Sequence, residues 1–192
     1  HVRSRRQRQM CIRDRPSANW LHLYSEAARL AFADRAAYVG DPDFVQAPGG
    51  DWRSLLAPGY LLERSRLIGP QRMPAAAAGQ PAPLRMGYAP MPPQPEYGTS
   101  HISIIDKDGN AVAMTTTIEA AFGSRQMVKG FMLNNELTDF SFTPTDASGQ
   151  PIANSVQPGK RPRSSMSPTL VFDRNSCLLY TSDAADDSLR VD

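Results

Sequence analysis

The order of signals along the chain predicts an α+β fold. Three observations carry that expectation. Helical periodicity runs from residue 18 to 39, a stretch holding eight prolines and no period runs from Gly69 to Pro95, and strand alternation starts abruptly near Ser100. Helices come first and strands afterwards, which points to a layered α+β domain rather than alternating βαβ units.

The first element reads "ANWLHLYSEAARLAFADRAAYV". Trp20, Tyr24, Ala27, Ala31 and Tyr38 recur at three- and four-residue steps, widened by Leu23, Ala28 and Leu30, with His22, Glu26, Arg29 and Asp34 between them. Gly40 followed by Asp41-Pro42 is a stop signal. A second helix is expected over Pro58–Leu67, "PGYLLERSRL". The prolines, the alanine run and the glycines of 69–95 then read as an extended linker. "SHISIID" alternates, "DKDGN" supplies a turn at Asp108-Gly109, and "AVAMTTTI" returns as the second strand of a hairpin. "GFMLNN" and "SPTLVF" are further strand candidates, separated by a loop over Thr143–Arg163.

Both ends of the chain have a different origin. A DNA strand that encodes the first run, "HVRSRRQRQMCIRD", also encodes "CLLYTSDAADDSLR", Cys177 to Arg190, on its complement. That DNA resembles a transposase-type sequencing adapter with its index. Residues 1–15 and 177–192 are therefore set aside as adapter-derived. Six Arg and one Asp lie in the first of these runs, four Asp and one Arg in the last. The formal charge of +2 thus falls to zero over residues 16–176, and no basic footprint for nucleic acid or an anionic membrane remains. Cys11 and Cys177 also fall in these runs, which removes disulfide and thiolate-metal chemistry. No apolar run reaches the roughly 18–20 residues of a membrane span.

Few patterns for chemistry remain. His22 and His101 stand far apart without metal-ligand spacing and read as structural residues. No GxGxxG, GxxxxGK[ST] or GxSxG occurs, so nucleotide binding and a nucleophile-elbow triad lack support. The junction Gly98-Thr99 admits two readings. Thr99 is either an ordinary strand start or the first residue of a new chain. An N-terminal threonine carries its own base, because its α-amino group has a pKa of about 7.7–8 and can take the hydroxyl proton. Such a residue appears only after the bond to Gly98 is cut, by attack of its own hydroxyl on the preceding carbonyl.

Four stretches, "HLYSEAARLAFADRAAYVGDPDF", "GTSHISIIDKDGNAVAMTTTIEAAFGS", "GFMLNNELTDFS" and "PGKRPRSSMSPTLVF", together resemble consecutive blocks of the γ-glutamyltransferase (glutathione hydrolase) family. The resemblance covers nearly all of residues 16–173. It implies an N-terminal-nucleophile hydrolase fold, an αββα sandwich, made as one precursor and split into a heterodimer. Residues 16–98 would be the C-terminal part of the large subunit and residues 99–176 the N-terminal part of the catalytic small subunit. Cleavage would fall between Gly98 and Thr99, and Thr99 would be nucleophile and base, with no metal or organic cofactor. Thr117 matches a threonine whose hydroxyl bonds to the nucleophile; from the residues alone it is equally an inward strand threonine.

Substrates implied are glutathione and other γ-glutamyl compounds, with water or an amino-acid or peptide amine as acceptor. Asp139 matches the acid that pairs with the substrate α-ammonium. Ser164 and Ser165 match the pair that donates to its α-carboxylate. Glu119 and Glu136 stand where some members have Asn and Gln and others Glu. Three carboxylates about one point repel unless a cation joins them or one is protonated, which favours a cationic head group. Ser100 replaces a more usual threonine and keeps the hydroxyl. By the same resemblance, a carboxylate-binding arginine and a glycine pair of the oxyanion hole lie outside this sequence. Loss of one oxyanion donor costs about 10²–10³ in rate, so the 192-residue chain alone is expected to be inactive. Family members are periplasmic or secreted. A cephalosporin- or glutaryl-type acylase and a non-cleaving paralogue are the competing readings. The head-group residues weigh against the first, and retention of Thr99 and Thr117 against the second.

Overall fold

A computed structural model of the chain describes residues 17–83, 87–95, 97–174 and 178–183. Helix α1 spans Ala18–Tyr38, capped by Ser17, whose hydroxyl accepts the Trp20 N–H at 3.1 Å. Two short 3₁₀ turns follow, Pro48–Gly50 and Trp52–Leu56, and then α2, Pro58–Ser65, opening on a proline as expected.

The buried face of α1 keeps only part of the stripe that periodicity suggests, Leu30 and Tyr38. Trp20 is 51% exposed and stacks on Tyr24 at the surface, with Leu23 exposed nearby. Glu26, Asp34 and Ala37 face inward beside Leu30 and Tyr38. The reason is the partner. This face meets the backbone of the linker, whose N–H groups need acceptors. Glu26 Oε2 accepts the Met73 N–H at 2.8 Å, and Asp34 Oδ1 accepts the Gly79 N–H at 2.8 Å. Asp34 also takes the Tyr60 hydroxyl at 2.6 Å and Arg64 Nη2 at 3.1 Å, tying α2 to α1. Hydrogen bonds from Met73 and Arg29 hold the Glu26 carboxyl below its ordinary range despite burial.

The strands form three two-stranded antiparallel sheets among the described residues. β1, Ser100–Ile105, pairs with β2, Ala111–Thr116, around a turn held by Asp106. Its carboxylate accepts the N–H groups of Asp108 and Asn110, while Gly109 supplies φ of +90°. β3, Met127–Val128, pairs with β4, Phe131–Met132, so "GFMLNN" contributes only two strand residues. β5, Pro168–Phe172, pairs with β6, Leu178–Asp183. β6 lies in the run set aside as adapter-derived; an extended, β-prone segment beside an open edge pairs with it whatever its origin. The fold is mixed helix and strand.

The linker and the loop are irregular in conformation but not peripheral. Ala89 and Met91 from the linker and Ile152 from the 143–163 loop form a buried apolar cluster, with Ile152 only 1% exposed. The Ala89 N–H donates to Pro151 O and the Met91 N–H to Ala36 O, both at 2.9 Å. Lys160 Nζ donates to Ala153 O at 2.7 Å, and Arg163 Nη1 to Arg35 O at 3.1 Å. The linker thus also contributes to the core, and a proline-rich chain brings few conformations to lose and packs at low entropic cost.

Candidate active site

The register of the first hairpin sets the site. Ser100 pairs with Thr116 as the last pair of the hairpin, and Thr99 and Thr117 are the residues next to it at the open end. Both threonines are half-buried. A cleft of about 500 Å³ opens there, walled by Gly98, Ser100, Thr117 and Glu119. Thr117 Oγ1 accepts the Glu119 N–H at 2.9 Å. With that lone pair engaged, the Thr117 proton is left to be donated elsewhere.

Glu119 has φ of +69°, in the left-handed region that a side chain enters at a cost of roughly 1–2 kcal/mol. Asn135 holds it there. Asn135 Oδ1 accepts the Ala120 N–H at 3.0 Å, and the Asn135 N–H donates to Ile118 O at 3.3 Å. Neighbouring Asn134 accepts the Glu136 N–H at 3.0 Å, starting the 3₁₀ turn Glu136–Asp139. Neither asparagine is flagged by strand periodicity. The signal for them is the Asn-Asn pair itself, since short amides close turns on nearby backbone.

The two loops bring Glu119, Glu136 and Asp139 together, with carboxylate oxygens within 4.8 Å of one another and all three half-buried. Burial, then the charge of Asp139 and its hydrogen bond, then the charge of Glu119, push the Glu136 carboxyl up to about 7. Glu136 Oε1 is buried without a hydrogen-bond partner. The cluster is built to take a positive charge or a proton, and a single cation would reach all three groups.

Neither Ser164 nor Ser165 lines the hairpin cleft. Ser164 is exposed and lines a separate groove with Gly40, Asp41 and Arg161. Its hydroxyl accepts the Met166 N–H at 3.2 Å. Ser165 is half-buried, and its Oγ is buried with no partner. The histidines have structural partners: His22 Nε2 lies 2.8 Å from Gly69 O, and His101 Nδ1 lies 2.9 Å from Thr115 Oγ1. Among the described residues no helix is long and apolar enough to cross a membrane.

The described residues thus form a mixed fold with threonines at a hairpin end and an acidic cluster, and the comparisons with known proteins give the family. The sequence model of the gamma-glutamyltranspeptidase family matches residues 7–181, and the chain belongs to that family of hydrolases and transferases. The matched range reaches into both runs set aside above. The glutathione hydrolase proenzyme of Pseudomonas aeruginosa is 41% identical over 161 residues, covering 81% of this chain and 26% of that protein. That of Bacillus subtilis (strain 168) is 43% identical over 159 residues, covering 78% and 26%. Among solved structures, the T380A mutant of the Helicobacter pylori gamma-glutamyltranspeptidase aligns at 42% identity over 42% of this chain and 46% of that one, with a TM-score of 0.34. The chain thus spans about a quarter of the length of these curated relatives.

Proposed function

We propose that the chain is the junction segment of a self-processing γ-glutamyltransferase or glutathione hydrolase with an αββα fold. Thr99 Oγ attacks the carbonyl carbon of Gly98. The bond from that carbon to the Thr99 nitrogen breaks as the nitrogen gains the hydroxyl proton, which leaves an ester. Water hydrolyses the ester, freeing the Gly98 carboxylate and a Thr99 that now carries an α-amine and a hydroxyl.

In the mature enzyme that amine takes the Thr99 proton, and Oγ attacks the γ-glutamyl carbonyl. The departing amine takes the proton, and an acyl-enzyme remains. Water or an acceptor amine then releases the glutamyl group. Thr117 donates its hydroxyl proton toward Thr99 Oγ and orients it. Glu119, Glu136 and Asp139 hold the substrate α-ammonium, which offsets their mutual repulsion. Ser164 and Ser165 donate to the α-carboxylate; the unpartnered Ser165 Oγ is a donor in want of an acceptor. Large and small subunits stay together as a heterodimer that works in the periplasm or outside the cell.

One observation supports the reading: the β1–β2 register, whose last pair Ser100–Thr116 is followed by Thr99 and Thr117, beside a cleft lined by Gly98, Thr117 and Glu119. The test is expression of the full-length precursor that contains residues 17–173. Two bands on a denaturing gel, the smaller beginning at Thr99, and turnover of a γ-glutamyl anilide in preference to a glutaryl anilide are expected. A single persistent band, or preference for the glutaryl anilide, overturns it.

A further inference from the structure

Residues 89–95 read Ala-Pro-Met-Pro-Pro-Gln-Pro. The prolines have no N–H, so Ala89, Met91 and Gln94 are the donors this run can offer from its backbone. Ala89 and Met91 spend theirs on Pro151 O and Ala36 O. Gln94 engages through its side chain. Nε2 donates to Thr138 O at 2.8 Å and Phe140 O at 2.9 Å, and Oε1 accepts the Phe142 N–H at 3.4 Å. These carbonyls flank Asp139 on either side. Asn154 Nδ2 donates to Asp139 O itself at 2.6 Å, so the turn that Gln94 grips is fixed in its own right.

Downstream, Ser100 is locked to Thr116 by the hairpin. The Gly98–Thr99 bond therefore sits on a short tether with both ends fixed, six residue steps that reach at most roughly 20 Å. Pro95 stiffens the upstream half. Holding both ends removes most of the conformations in which the Gly98 carbonyl would lie away from the Thr99 hydroxyl.

We propose that Gln94 is a positioning residue for chain cleavage, its amide anchoring the upstream side of Gly98–Thr99 to the turn that carries Asp139. The inference rests on the cleavage reading given above.

The experiment uses the full-length precursor as wild type, Gln94→Ala and Gln94→Glu, following the appearance of the Thr99 N-terminus by intact mass. All three neutral side-chain bonds are lost in Gln94→Ala, so cleavage slows by about tenfold or more. Gln94→Glu offers an acceptor to two carbonyls and cleaves no faster than Gln94→Ala. The kcat of molecules that have cleaved matches wild type in both, a result that a general folding role for Gln94 would not produce. Cleavage of either variant within twofold of wild type, or a fall in kcat matching the fall in cleavage, overturns the role of Gln94 alone. A wild-type precursor that never cleaves overturns the proposed function and this inference with it.

Discussion

Asp41 and Arg161, 120 residues apart in the chain, meet through three hydrogen bonds. Asp41 Oδ2 accepts the Arg161 backbone N–H at 2.8 Å and Nε at 3.0 Å, and Oδ1 accepts Nη2 at 2.6 Å. The Asp41 side chain is almost fully enclosed, and the Arg161 bonds hold its carboxyl far below the ordinary range. A lysine cannot reproduce the fork of two guanidinium donors. Arg161→Lys is expected to lower the melting temperature by several degrees at pH 7. A depressed folded-state pKa contributes stability that is complete above the unfolded value and is lost as pH falls through the folded one. The gap between wild type and Arg161→Lys should therefore narrow in acid. Melting curves from pH 7 to pH 2 that stay parallel would count against the pair.

Glu136 has the opposite sign. Its folded carboxyl is raised from 4.5 to about 7. The fold thus favours the protonated form, a contribution complete below the unfolded value and lost as pH climbs through about 7. Wild type should lose stability between those limits, and Glu136→Gln should not. The two should be close at pH 4 and the variant more stable at pH 8. Urea midpoints that differ equally at both pH values would dismiss the carboxylate cluster as the cause.

The first hairpin was fully legible in the sequence, because alternation and the Asp-Gly turn act locally and the register follows from the turn. The two helices were legible for the same reason. The inward face of α1 was not. Periodicity assumes an apolar partner, whereas Glu26 and Asp34 face linker backbone 45 to 47 residues away in sequence. The core contribution of Ala89, Met91 and Ile152 was hidden likewise, since irregular segments have no period to announce burial. At the site, Thr99 and Thr117 could be placed from strand register, but Asn135 acts through a bond to Ala120 that only the fold creates. The serines were grouped with the carboxylates by resemblance, and the groove that Ser164 shares with Asp41 and Arg161 has no local sequence signal.

Gly123 tests how the carboxylate loops are held together. A Cβ there would stand 2.1 Å from Leu133 O, and its φ is +51°. Both the backbone region and the space exclude a side chain. Gly123→Ala should cost more than about 2 kcal/mol, from strain and clash combined. The same change would pull the 118–124 loop from Asn134 and Asn135 and part Glu119 from Glu136. Denaturant unfolding measures the first effect. The second should show as a return of the Glu136 carboxyl toward its ordinary value in a carbonyl-resolved titration, and an unmoved titration would refute the link.

Thr117 separates a catalytic hydroxyl from a strand threonine. Its Oγ1 accepts from Glu119, and its proton is free to serve the proposed donation toward Thr99. Thr117→Val keeps the shape and removes the proton, and Thr117→Ser keeps the proton and removes a methyl. If the hydroxyl stabilises the attacking Thr99 oxygen, the valine variant of the full-length precursor should lose about 10²-fold or more in cleavage and turnover alike. The serine variant should keep most of both. A threonine serving only the packing of β2 predicts the reverse order, because valine is at home in a strand and serine leaves a gap. Cleavage time courses of the two variants beside wild type decide between these outcomes.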